Sequence, residues 1–153
     1  MGARARKVAV LDTWAVLAYL DGEAVAAERV RQLLRQARAR RVVALFSIIN
    51  YGEALYVIER ERGLQQAQRA IGIIDQLPIQ VVPADRTLVF ETAHLKARYP
   101  ISYADAFSVA LAKRTRGRLL TRDPEFRAVE AEVAVDWLPD RRAAISSRAR
   151  PSS

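Results

Sequence analysis

Short apolar-rich runs, each followed by a longer stretch with helical spacing, restrict the fold of this chain more than any other feature. Residues 8–11 are continuously apolar, the pattern of a strand buried on both faces of a parallel sheet. Similar runs at 42–46, 79–82, 118–121 and 133–138 predict four more strands. Between them, residues 13–20, 24–39, 47–62, 64–77, 85–98 and 102–116 read as helices. In the second of these, Val30, Leu33, Leu34 and Ala37 recur at helical spacing, and Gly63, Pro78, Pro100 and Gly117 supply stops. Strands alternating with helices predict βαβ units, hence an α/β fold with a mostly parallel sheet of about five strands and helices on both faces. Residues 1–139 form one domain by this reading. Residues 140–153, rich in Arg, Ser and Ala with little to bury, read as a loosely held basic tail.

Four carboxylates gain meaning from that frame. Asp12 and Asp123 closely follow the first and fourth predicted strands, Glu53 lies one turn into a helix, and Asp105 lies in the first turn of another. In a parallel sheet such positions gather at one end, where α/β proteins build their sites. Each acid has a bland alternative. Asp12 caps the helix that begins at Thr13. Asp105 completes a capping box with Ser102, and Asp123 with Pro124 makes a turn pair. Glu53 stands between Ile49 and Val57 on an apolar stripe, where a carboxylate is rarely without a partner. Taken together, four crowded acids repel one another and call for a divalent cation. Beside an Arg-rich surface, a cation points to chemistry on phosphate.

The composition limits which cation that is. With no cysteine and only His94, the chain offers neither a thiolate site nor a multi-histidine zinc site. Oxygen ligands remain, and these favour Mg²⁺ or Mn²⁺; His94 itself reads as a surface or half-buried helix residue. The net charge of +8 suits an anionic partner, although only Lys7, Lys96 and Lys113 among the basic residues are lysines, a bias that genome composition also produces. The basic start imitates a signal peptide, but Asp12 interrupts its apolar stretch and no small-residue cleavage site follows. No apolar run is long enough to span a membrane, so the expected location is cytoplasmic.

Four segments carry a resemblance. Residues 10–13 (VLDT), 47–56 (SIINYGEALY), 101–107 (ISYADAF) and 119–126 (LLTRDPEF) resemble, in order and spacing, the signature blocks of PIN-domain ribonucleases. Among these the likeness is greatest to the VapC-like toxins of toxin–antitoxin pairs, and it extends over residues 7–138. The resemblance implies a three-layer PIN-like fold and a Mg²⁺- or Mn²⁺-dependent endoribonuclease. Asp12, Glu53, Asp105 and Asp123 would be its catalytic and metal-binding quartet. It implies Thr121 as the hydroxyl beside the last acid and Thr13 as the one beside the first, with Ser47 and Asn50 as supporting or substrate contacts. Cleavage by in-line attack would leave a 5′-phosphate and a 3′-hydroxyl. The implied partners are RNA, a cognate antitoxin lying in a groove near the site, and a second copy of the chain. Two positions depart from the family pattern: Trp14 stands where a small polar residue is common, and Arg122 where glycine is common, placing a cation beside the acids.

Arginines 116, 118, 122 and 127 are candidates for guiding an RNA backbone, the alternative being solvated helix ends. Arg38, Arg40 and Arg41 form a second cluster, suited to a helix C-terminus. The segment 13–39 and the stripe Tyr51, Leu55 and Ile58 are candidates for partner contact, ordinary core accounting for most of them. Two other acid-bearing α/β families fit less well. A haloacid-dehalogenase-type phosphatase wants a second Asp where Trp14 stands, and a receiver domain wants a late-strand Lys that is absent. The alternative from another class is a catalytically silent PIN-fold module that binds RNA or protein.

Overall fold

The computed structural model describes residues 5–139; the predicted tail at 140–153 lies outside them. Five strands form one sheet: β1 (Lys7–Leu11), β2 (Val42–Ser47), β3 (Ile79–Val82), β4 (Arg118–Thr121) and β5 (Val135–Trp137). Their spatial order is β3-β2-β1-β4-β5, and every pairing is parallel. The helices are α1 (Thr13–Leu20), α2 (Ala24–Arg38), α3 (Ile48–Arg62), α4 (Leu64–Ile74), α5 (Arg86–Arg98) and α6 (Tyr103–Thr115), followed by a 3₁₀ helix, Pro124–Val129. This is the α/β architecture expected from the sequence.

The period-2 alternation of a strand sorts neighbouring residues into two cores. Leu11, Phe46 and Leu120 lie side by side in register and pack against α1, α2, α3 and α4. Val10, Leu45 and Leu119, one residue earlier on the same strands, pack against α5, α6 and the 3₁₀ helix. Three layers result. At Gly117 a Cβ would lie 2.9 Å from Val8 Cγ1 and 3.0 Å from the Val8 carbonyl oxygen, so only glycine lets β4 begin so close to β1.

Several boundaries differ from the sequence reading. The helix predicted at 64–77 ends at Ile74, because the Gln76 and Leu77 amides turn back to the carbonyls three residues earlier, Ile73 and Ile74, in place of helical bonds four residues back. The 3₁₀ helix replaces what was read as a turn after Asp123. The last strand is confined to residues 135–137. The stripe proposed for partner contact is mostly core: Tyr51 and Ile58 are buried, Leu55 half-buried. Tyr51 meets the Phe46 ring edge-on at 5.7 Å, and its hydroxyl donates to Asp75 Oδ1 at 2.9 Å. His94 is exposed on α5.

The strand order reverses at β1. From β1 the chain moves outward through β2 to β3, then returns to β4 on the other side of β1. In open α/β sheets ligands bind outside the carboxyl ends of the strands at such a switch point. Here those ends are Leu11, leading into Asp12, and Thr121, leading into Asp123.

Candidate active site

Asp12 leaves β1 fully buried, its backbone N–H donating to the Leu120 carbonyl at 3.2 Å. It caps α1: the Ala15 N–H donates to Oδ1 at 2.8 Å. Its other oxygen, Oδ2, accepts from the Thr121 hydroxyl. The capping role read from the sequence therefore holds, and the same side chain also faces the other acids.

From Thr121 a chain of hydrogen bonds links the acidic residues. The Asp123 N–H donates to Thr121 Oγ1 at 3.0 Å, the Glu125 N–H to Asp123 Oδ1 at 2.9 Å, and the Ser102 N–H to Glu125 Oε2 at 3.4 Å. The Asp105 N–H in turn donates to Ser102 Oγ at 3.1 Å, capping α6. Backbone amides and the Thr121 hydroxyl thereby orient the carboxylates of Asp12, Asp123 and Glu125, while Ser102 caps the turn that carries Asp105.

Asp105, Asp123 and Glu125 each present a carboxylate oxygen within 4.8 Å of the other two. Glu125 is the acid that the sequence reading passed over. It is exposed and sits in the first turn of the 3₁₀ helix, which Asp123 caps and Pro124 opens. The sequence Asp-Pro-Glu was its available signal, since Pro at the first helical position puts the next residue on the capped turn beside the Asp. Glu53, on α3, is half-buried, and its buried Oε1 has no hydrogen-bond partner among the described residues.

Crowding shows in the protonation equilibria. Burial pushes the Asp12 carboxyl up to about 7; the Thr121 hydroxyl and the Ala15 N–H oppose this, while the charges of Asp123 and Glu53 add to it. Asp105 rises to about 8, through burial first, then the neighbouring Glu125 carboxyl, then the charges of Asp12 and Asp123. Asp12 and Glu53 stand outside the group that Asp105, Asp123 and Glu125 form, Asp12 reaching Asp105 and Glu53 reaching Asp12 through charge; carboxylates gathered in this way are what a hard divalent cation would complete. The donors are all oxygens, which suits Mg²⁺ or Mn²⁺.

Beneath the acids lies a buried polar hub. Asn50 Nδ2 donates to Thr13 Oγ1 at 3.2 Å and to the Ala104 carbonyl at 3.1 Å, and its Oδ1 accepts from the Ser108 hydroxyl at 2.9 Å. The Thr13 hydroxyl donates to the Asn50 carbonyl at 3.2 Å. Asn50 thus ties the starts of α1, α3 and α6, which carry or adjoin Asp12, Glu53 and Asp105. Ser47 caps α3, accepting from the Ile49 N–H at 3.2 Å. Thr13, Ser47, Asn50 and Thr121 are all completely enclosed, so none presents a side chain at the surface. Ser108 was not singled out from the sequence; a serine among apolar helix positions carried no signal.

The arginines separate by which end of the sheet they occupy. Arg118 opens β4, at the end of that strand away from Thr121, and pairs with Asp136 of β5 at 2.7 Å. Arg116 ends α6, and Asp105 begins it, so Arg116 is also remote from the acids. Arg127 stacks over Trp137 at 5.2 Å. Arg122 adjoins Asp123, but its guanidinium pairs with Glu23. Adjacency in sequence to the Asp123 block had suggested four basic guides; strand direction and ion pairing distribute them differently.

The sequence model of the family described as PIN domain matches residues 9–132. Among solved structures, the chain is similar to that of VapBC2 from Rickettsia felis bound to a DNA fragment from their promoter, with a TM-score of 0.67, 14% identity, and 84% of this chain and 97% of that one covered. It is similar to Mycobacterium tuberculosis VapC20, a sarcin–ricin loop cleaving toxin, with a TM-score of 0.61, 22% identity, and 79% and 94% covered. It is also similar to VapBC-1 from nontypeable Haemophilus influenzae, with a TM-score of 0.64, 20% identity, and 85% and 97% covered. A search of curated proteins gives no match.

Proposed function

Because this chain belongs to the PIN-domain family, we propose that it is a divalent-metal-dependent endoribonuclease and the toxin of a toxin–antitoxin pair. The observation that carries this reading is the hydrogen-bonded chain of acids at the switch point of the sheet, with Glu53 Oε1 buried and unpartnered beside it. Asp12, Glu53, Asp105 and Asp123 would hold the cation, with Glu125 as an additional carboxylate. A bound Mg²⁺ or Mn²⁺ supplies charge neutralisation at the scissile phosphate and a more acidic water.

The protein's own part is orientation. Ala15 N–H and Thr121 Oγ1–H aim the two oxygens of Asp12, and the Asn50 hub holds the three helix starts in place. A carboxylate of the cluster can also accept a proton from the attacking water. Hydrolysis that breaks the bond between phosphorus and the 3′ oxygen leaves a 5′-phosphate and a 3′-hydroxyl. A silent binding module would gain nothing from buried carboxylates that repel one another.

The toxin assignment draws on neighbours that are components of VapBC assemblies, so the proposed partners are RNA, a cognate antitoxin and a second copy of this chain, in the cytoplasm. Among the described residues no helix is long and apolar enough to cross a membrane. The test is cleavage of RNA by purified protein with Mg²⁺ and with a chelator. D12N and D105N should each lose most of the Mg²⁺-dependent cleavage while remaining folded. Near-wild-type cleavage by either variant would overturn the assignment of the acids.

A further inference from the structure

Arg122 precedes Asp123 by one residue, so its cation begins next to the acids. Its guanidinium nevertheless pairs with Glu23, at the corner between α1 and α2, 99 positions away in sequence. Both side chains are largely enclosed, at 15% and 12% exposure. On that side Arg122 lines a pocket of about 100 Å³ with Trp14, Asp21, Val57, Glu61 and Arg62. Glu23 occupies the N-cap position of α2, yet its side chain makes no capping bond to the helix. Its carboxylate is directed at Arg122 instead. Arg122 is not among the main influences on the protonation of Asp12 or Asp105, which are burial, hydrogen bonds and other carboxylates.

We propose that Glu23 is a positioning residue that holds the Arg122 guanidinium off the acid cluster, keeping those carboxylates available to a divalent cation. The role presupposes the cation site proposed above. Removing one partner of a largely buried ion pair leaves the other charge uncompensated. Of the other acids around Arg122, Asp21 is engaged by Arg62 and Glu61 is exposed, which leaves Asp123, one residue along the chain, and the acids bonded to it. A guanidinium has five N–H donors and stays protonated, so it would occupy carboxylate oxygens that a metal ion needs.

The experiment is a Mg²⁺ titration followed by thermal unfolding of the full chain, with RNA cleavage as a second readout. E23Q should require about tenfold more Mg²⁺ for half of the full stabilisation, a coupling typical of adjacent sites. R122A should keep the wild-type Mg²⁺ response, and E23Q/R122A should recover it. E23S removes the same charge while offering α2 a capping hydroxyl, so it provides a folded variant with the same expectation as E23Q. A wild-type response in E23Q and E23S, or a double variant as impaired as E23Q alone, would overturn the positioning role. Wild-type protein that gains no stability from Mg²⁺ would instead sink the cation site itself.

Discussion

Replacing Asp12 by asparagine should make the metal-free protein more stable at alkaline pH, although the same change should abolish the proposed cleavage. The folded chain holds the Asp12 carboxyl at about 7, against an ordinary value of 3.8. Below the ordinary value the carboxyl is protonated whether the chain is folded or not, and the group has no effect on stability relative to that neutral reference. As pH rises from there, the unfolded chain ionises first, so stability falls until the folded carboxyl also ionises near 7. Above that the loss is complete, about 4 kcal/mol for a difference of this size. Asparagine never ionises and escapes it. It keeps an oxygen for the Ala15 N–H and turns an amide towards Thr121 Oγ1, a poorer arrangement that costs about 1 kcal/mol. D12N should then exceed wild type by about 3 kcal/mol at pH 8.5, or roughly 6–12 °C in Tm for a chain of this size. At about pH 4 the advantage should vanish. The assay is urea and thermal unfolding in chelator across that range. A D12N variant no more stable than wild type at pH 8.5, or a gain that does not grow with pH, would refute the idea that burial of the Asp12 carboxyl, with nearby acids adding to it, strains the metal-free fold.

Asn50→Ala removes the buried acceptor of the Ser108 hydroxyl and the amide that donates to Thr13 Oγ1 and the Ala104 carbonyl, so it should cost about 2–4 kcal/mol in denaturant unfolding; a loss under about 1 kcal/mol would show that the hub is not structural. Glu125→Gln should raise the Mg²⁺ needed for cleavage several-fold, with maximal rate reduced less than in D105N, because Glu125 is exposed whereas Asp105 is enclosed; an unchanged Mg²⁺ requirement would remove Glu125 from the site. Arg118→Ala should leave the salt dependence of RNA cleavage unaltered, since Arg118 pairs with Asp136 at the far edge of the sheet; a shallower salt slope would place RNA across that edge.

How much of this was legible in the sequence follows from which interactions are local. The strands were readable because burial on both faces leaves continuous apolar runs such as Val8–Ala9–Val10–Leu11. The positions of Asp12 and Asp123 relative to those runs then located the switch point. Thr121 and Asn50 entered through family resemblance alone; nothing in their spacing announces that one bonds Asp12 and the other joins three helices. Arg118 was misplaced because sequence proximity to Asp123 ignores strand direction: three residues along a strand carry the chain from one end of β4 to the other. Glu23 was invisible for the opposite reason. Its partner lies 99 positions away, and a glutamate before a helix usually signals only the helix.

The most direct test of the account is diffraction from crystals of the chain soaked in Mn²⁺, with the ion located by its anomalous scattering. An ion is expected among carboxylate oxygens of Asp12, Glu53, Asp105 and Asp123, with Glu125 directly or through water. Ions only at surface acids such as Asp21 or Asp75, with the switch-point cluster unaltered at saturating Mn²⁺, would contradict it.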